Sequence, residues 1–339
     1  MGFKPLPIGV DDFQKLITEG YYYVDKTDMI RELLDMKGEV NLFTRPRRFG
    51  KTLNISMLRY FFERREGENA EGLFKGLKIM DAGRKYLCHM GQYPVIILSL
   101  KSMKQPSFKK AFYCLKEEIS NEYKRHDAVL KQLEYDSDRE KYMRILEMRA
   151  DEEEYITSVR YLSDCLYQCT GEKTVILIDE YDVPLENAYF AGGYDQMTDL
   201  VRSLFESALK TNANLAFAVV TGRLRISKES IFTGLNNLKI ISVTDDLYSE
   251  HFGFTQKEVE SMLDFYGLWG NKQKVREWYD GYLFGNTEVY NPWSVINYVQ
   301  SCYRNKDAFP KPYWSNTSSN SIVRRLVERA GENGKNTNQ

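Results

Sequence analysis

Val40-Asn-Leu-Phe-Thr44 runs straight into Arg45-Pro-Arg-Arg-Phe-Gly-Lys-Thr52, and Leu53-Asn-Ile-Ser-Met-Leu-Arg-Tyr-Phe-Phe62 comes next. The first stretch is a short apolar run of strand type. The last sets Leu53, Ile55, Met57, Leu58, Phe61 and Phe62 at helical spacing. Strand, loop, Gly-Lys-Thr, helix is the context that a Walker A-type phosphate loop requires. In that geometry backbone N–H groups at the helix start face phosphate oxygens. The segment that would wrap a nucleotide is Arg47, Arg48, Phe49, Gly50, Lys51, Thr52 and Leu53. Gly50 lets the backbone approach, Lys51 supplies a point charge, and the Thr52 hydroxyl suits Mg²⁺. A bare Gly-Lys-Thr is common by chance, so the flanking strand and helix carry the weight. Position 45 is Arg where the general pattern has Gly. A non-Gly residue resists positive φ, so the loop is expected to be shaped differently. For Arg47 and Arg48 phosphate contact and plain solvated charge are equally good readings; for Arg45 solvated charge is the better one.

A second stretch answers the first. Thr174-Val-Ile-Leu-Ile178 is an apolar run that ends in Asp179-Glu180-Tyr181-Asp182. Ligands of parallel sheets sit outside the carboxyl ends of the strands. Asp179 is therefore expected in a Mg²⁺ shell with Thr52, and Glu180 as the group that orients or deprotonates water, a Walker B-type pair. Asp182 reads as structural. A third run, Leu215–Val220, ends at Thr221-Gly-Arg-Leu-Arg225. Thr221 stands where a γ-phosphate sensor would be. Arg223 or Arg225 suits a sensor or finger arginine, against the alternative of surface charge.

Working outward, Val95–Leu100 and Leu238–Val243 complete a set of five buried-strand patterns separated by helical stretches. This predicts an α/β fold with a doubly wound parallel sheet. Residues 105–170 are charged and nearly free of Gly and Pro, with Phe108, Phe112, Leu115 and Ile119 at helical spacing, so they read as a helical insertion. The character changes near residue 250. Thr255-Gln-Lys-Glu258 is a capping box. Residues 281–290 read as two strands around Gly285-Asn286, and Asn291-Pro292 opens a helix to about Tyr303. The expected division is a nucleotide-binding core over 1–248, a mainly helical lid or winged-helix-like domain over 249–330, and a disordered tail over 331–339, which has no apolar residue.

Composition sets the outer limits. The 339 residues carry 47 Lys and Arg against 48 Asp and Glu, a net charge of −1, which excludes a general nucleic-acid coating protein. The five Cys are scattered without CxxC, and residues 1–20 lack an apolar signal core. No apolar run approaches the roughly 20 residues of a membrane span. The expectation is a soluble cytoplasmic protein. His89, His126 and His251 lack metal-ligand spacing, and Cys165 and Cys169 read as buried apolar residues. Asp25-Lys26-Thr27 reads as the cap of a helix over 28–35. Glu122-Tyr-Lys124 fits a short nuclease pattern by chance, since it falls in a helix.

The combination resembles the AAA-ATPase-like family, a branch of the AAA+/STAND-type P-loop NTPases. The residues that carry the resemblance are Leu6–Val10, Tyr23–Thr27, Arg45–Thr52, Leu177–Asp182, Thr221–Ser227, Trp278–Tyr282 and Tyr290–Ser294. They span about residues 5–305, and Arg45 looks ordinary for this family. The resemblance implies sheet order 5-1-4-3-2, nucleotide at Lys51 and Thr52, and a helical lid after residue 250. Members often carry a C-terminal PD-(D/E)XK nuclease-like domain, which is not evident here; a truncated chain and a short member both fit. The resulting expectation is an ATP-binding module and Mg²⁺-dependent ATPase of low turnover, able to couple to a partner, a homo-oligomer or a fused effector. The alternatives are a nucleotide-gated switch that hardly hydrolyses, or a nucleic-acid binder acting through the C-terminal domain.

Overall fold

The structure is a computed structural model that describes residues 2–65, 67, 70–223, 231–232 and 234–314. The five apolar runs become β1 (Val40–Thr44), β2 (Val95–Ser99), β3 (Thr174–Asp179), β4 (Leu215–Gly222) and β5 (Leu238–Ile241). All pair in parallel, in the order β2-β3-β4-β1-β5, which is 5-1-4-3-2 when counted from the β5 edge. Every residue of β1 and β3 is buried, as their unbroken apolar patterns demand. β5 stops two residues earlier than the sequence pattern suggests. The Ser242 amide turns away to the Asp245 side chain, at 2.7 Å, instead of extending the ladder.

Helices cover both faces. On one side lie α1 (Phe13–Thr18), α2 (Asp28–Met36) and α3 (Lys51–Phe62), followed by the short α4 (Ala70–Phe74) and α5 (Arg84–Leu87). Their apolar faces meet Phe43, Val95, Leu177 and Val219 in one core. On the other side lie α6 (Phe108–Arg125), α7 (Asp136–Leu146) and α8 (Glu152–Thr170), then α9 (Val183–Ala191) and α10 (Tyr194–Phe205). These pack on Leu42, Ile96, Ile176 and Ala218. The charged stretch 105–170 is thus the crossover between β2 and β3, and its apolar stripe packs into the core on that face of the sheet.

The same crossover seals a sheet edge. β2 is an outer strand, and its outward N–H groups would otherwise lack partners. Glu122 Oε1 accepts the Ile97 amide at 2.8 Å, and Glu118 Oε1 accepts the Ser99 amide at 2.9 Å. Arg125 binds Glu122, Glu63 and the Val95 carbonyl. Burial raises the Glu122 pKa, but His126 and Arg125 outweigh it and hold the carboxyl at about 2. Glu122→Ala leaves Arg125 and the Ile97 amide underpaired, so it is expected to lower unfolding free energy by about 3 kcal/mol in a urea titration.

After β5 the chain forms a smaller unit. The Thr255-Glu258 capping box opens α11 (Gln256–Phe265). Then come α12 (Lys272–Tyr279), the hairpin β7 (Tyr282–Phe284) and β8 (Thr287–Tyr290), and α13 (Pro292–Arg304), which is capped by Asn291. Two residues not foreseen as a strand, β6 (Phe254–Thr255), pair antiparallel with β8 and give a three-stranded sheet ordered β6-β8-β7. The tail expected to be disordered lies outside the described residues. Among the described residues no helix is long and apolar enough to cross a membrane.

One assignment near the N-terminus is corrected. Thr27 stands at the N-cap of α2 but makes no side-chain cap. Its hydroxyl donates to Asp25 at 2.7 Å and accepts the Ile79 amide at 3.1 Å, so it ties two loops together. Lys26 points the other way, into the C-terminal unit. Its buried ammonium meets both Glu258 oxygens at 2.7 and 2.6 Å and the Glu250 carbonyl at 2.7 Å. Glu258 therefore closes its own helix and locks that helix to the N-terminal segment.

Candidate functional site

The site is built where β1, β3 and β4 end. β1 delivers the chain into the loop, and Gly50 takes φ 81° as it becomes the N-cap of α3. A side chain is strained in that region, which is why glycine stands there. The first turn of α3 holds no acidic residue, so its free amides keep their positive potential. The Lys51 ammonium curls back and donates to the Arg45 and Pro46 carbonyls, both at 2.8 Å. Burial pulls its pKa down to about 8, although Asp179, Asp182 and Glu180 pull the other way.

Asp179 closes β3 and joins the other two strands. Its Oδ2 accepts the Thr52 hydroxyl at 2.7 Å, and its Oδ1 accepts the Thr221 hydroxyl. The three residues paired across the sequence are therefore in direct contact. Their hydroxyl and carboxylate oxygens are hard donors of the kind Mg²⁺ takes, so the donor set fits that ion. Next to them Glu180 has φ 56°, a left-handed conformation rare outside glycine. It is held there because the Tyr181 amide donates to the Thr221 carbonyl at 3.0 Å and the Val183 amide to Glu180's own carbonyl at 3.2 Å. Burial first, then the charge of Asp179, raises the Glu180 pKa.

The arginines separate into distinct places. Arg45 is fully buried and turns away from the loop mouth. Arg48, at φ 68°, lays its guanidinium over the Trp293 ring at 4.1 Å. Phe49 is buried edge-on against Tyr282 at 4.8 Å and beside Phe284 at 5.2 Å, so its side chain belongs to the C-terminal hairpin and only its main chain faces the loop. Gly253 makes room for that ring, since a Cβ there would sit 3.0 Å from it. Leu53 packs on the core beneath α3. Arg47 and Arg223 converge on Glu186, at 3.7 and 2.7 Å, and the Arg223 amide donates to buried Asp182 at 2.9 Å. Arg225 lies outside the described residues.

Sequence reading missed Glu186 and Trp293. Glu186 was within reach of pattern: Pro184 marks a helix start, and Asp182 and Glu186 then fall one turn apart on one face. Trp293 stands in the stretch Tyr290–Ser294 that carries the resemblance, but its contact with Arg48 had no signal, because the two are far apart in sequence. A wide cleft of about 1050 Å³ lies at the other end of α3, lined by Tyr60, Glu63 and Leu73 among others. It holds none of the residues above. Backbone amides at the end of a strand can hold an anion without an enclosed hollow, so the chemistry of the groups, and not hollow volume, marks the candidate site.

The family described as predicted AAA-ATPase matches residues 7–232, a span that contains Lys51, Thr52, Asp179, Glu180, Thr221 and Arg223. The chain belongs to this AAA-ATPase-like family. It is also 31% identical, over 335 residues, to a protein of Azotobacter chroococcum mcd 1 described as "Uncharacterized protein in vnfD 5'region". The alignment covers 97% of this chain and 57% of that relative, so the chain spans somewhat more than half of the relative's length. The family match stops near β5, whereas the alignment to the relative runs on through most of the C-terminal unit. Within this AAA-ATPase-like chain, Arg45, Arg48 and Phe49 add to Lys26 in tying the matched region to the C-terminal unit.

Proposed function

We propose that this chain binds ATP with Mg²⁺ and hydrolyses it slowly, and that the C-terminal unit responds to the occupant of the loop. The observation that carries the reading is the contact of Thr52 with Asp179 beside the Lys51 ammonium, at the carboxyl ends of the strands. Lys51 would exchange its two carbonyl partners for phosphate oxygens. Thr52 and Asp179 would hold Mg²⁺, which supplies charge neutralisation on the phosphates when bound. Glu180 would accept a proton as water attacks the terminal phosphorus and the bond to the bridging oxygen breaks. Thr221, whose hydroxyl donates to Asp179, would hold that carboxylate in place beside the terminal phosphate.

The C-terminal unit would act as a lid, because three contacts tie it to the loop itself. Residues 1–248 would then be the motor and the segment from 249 the reader. Homo-oligomerisation, or an effector in a longer protein, would supply what a slow site lacks.

Calorimetric titration of ATP and GTP with Mg²⁺ tests the reading. Binding of ATP is expected, and no heat with either nucleotide overturns it. Glu180→Gln is expected to retain ATP binding and lose about 100-fold or more in turnover. Equal turnover in variant and wild type removes Glu180 from the chemistry. The base acts only when ionised, and its pKa is raised above the ordinary 4.5. Turnover is therefore expected to fall on acidification at a higher pH than an ordinary carboxylate would give.

A further inference from the structure

We propose that Glu186 is a positioning residue that stores the Arg47 and Arg223 guanidinium groups in the nucleotide-free protein and yields them to the terminal phosphate. The proposal rests on the nucleotide-binding reading above. Its basis is a division of labour among the carboxylates. Asp179 is committed to Thr52 and Thr221. Asp182 is fully buried and holds Arg223 at its base by accepting its amide at 2.9 Å, with Nε 3.9 Å away. Glu186 grips the tip of the same side chain, Nη1, at 2.7 Å, while Arg47 approaches its other oxygen at 3.7 Å.

Arg223 is thus held at a pivot and at a latch. Release of the latch lets the guanidinium swing while the pivot keeps its origin fixed. Arg47 comes from the phosphate loop and Arg223 from the end of β4, so they meet only here. Their like charges oppose each other, and a shared carboxylate makes the meeting tolerable. Glu186 and Arg223 side chains are only 12% and 11% exposed, so water screens the pair little. A phosphate group presents oxygens to a guanidinium fork much as a carboxylate does. An incoming terminal phosphate would therefore replace Glu186 without leaving either arginine unpaired. Glu186 then acts as a built-in competitor, felt by a triphosphate and hardly by a diphosphate.

The test compares the affinities of ATPγS and ADP by calorimetry with Mg²⁺. Glu186→Gln keeps the shape and removes the charge. It is expected to tighten ATPγS about tenfold, the scale of one charge-assisted hydrogen bond, and to leave ADP within about twofold. Arg223→Ala is expected to weaken ATPγS and spare ADP, and the double variant is expected to behave as Arg223→Ala. A purely structural Glu186 would shift both nucleotides together. An unchanged or reduced ATPγS-to-ADP affinity ratio in Glu186→Gln overturns the proposal. Should that variant not fold, Arg223→Ala and Arg47→Ala decide from the other side: equal weakening of both nucleotides overturns it, and selective weakening of ATPγS supports it. Wild type that binds neither nucleotide overturns the nucleotide-binding reading itself, a result distinct from the others.

Discussion

Lys51→Ala is expected to weaken ATP by about 3 kcal/mol, or roughly 100-fold, because the phosphates lose the desolvated ammonium beside them and no other side chain takes its place. The wild-type residue also makes a pH signature that alanine cannot. In the nucleotide-free chain its pKa is pulled to about 8, chiefly by burial. Phosphate oxygens beside the ammonium favour the charged form, so the pKa in the complex lies higher. Linkage then sets the sign: the complex binds more protons than the free protein, so binding takes up protons near pH 8.5. A terminal phosphate titrates near about 6, well below this window, and does not confuse it. Affinity is expected to fall as pH rises above about 8. Calorimetry at pH 8.5 in two buffers of different ionisation enthalpy measures the uptake. Proton release, or no buffer dependence, would detach Lys51 from the phosphates.

The sheet and the three contacting residues Thr52, Asp179 and Thr221 were legible because each depends on local pattern. An apolar run closed by a polar residue fixes which side chain stands at a strand's carboxyl end. Parallel pairing then brings those ends together whatever lies between them. Capping at Thr255 and Asn291 was legible for the same reason, since the cap bonds within three residues. What stayed hidden depends on long-range packing. Lys26 reads as a capping neighbour until Glu258 is seen against it, 232 positions away. β6 is two residues long and gains its identity only from β8. Arg45, Arg48 and Phe49 look like members of a phosphate loop because sequence shows what they adjoin and not where they point. Each is turned toward aromatic groups of the C-terminal unit.

Arg45→Gly would restore the residue that general phosphate loops place there, and it is expected to damage this protein. The backbone at 45 does not need glycine: the left-handed positions of the loop are Arg48 and Gly50, and Arg45 is not among the residues with positive φ. Its amide donates to the Gly222 carbonyl at 3.0 Å and prolongs the pairing of β1 with β4. Its side chain is a fully buried join between the sheet and the C-terminal unit. Nη1 donates to the Thr44 and Ile241 carbonyls, both at 3.0 Å, and the guanidinium lies 5.0 and 5.1 Å from the Phe252 and Phe284 ring centres. Burial lowers its pKa to about 10, so it remains charged at neutral pH. Glycine removes two buried charge-assisted bonds and two ring contacts, and it leaves a cavity. The sum is about 4 kcal/mol of unfolding free energy. Arg45→Lys is expected to recover little, because one ammonium cannot lie flat between two rings while reaching two carbonyls. Urea titration followed by tryptophan fluorescence reads the loss. Limited proteolysis reads its location, with cleavage expected first between the sheet and the C-terminal unit. A glycine variant as stable as wild type, with an equally protected C-terminal unit, would mean that Arg45 does not join them.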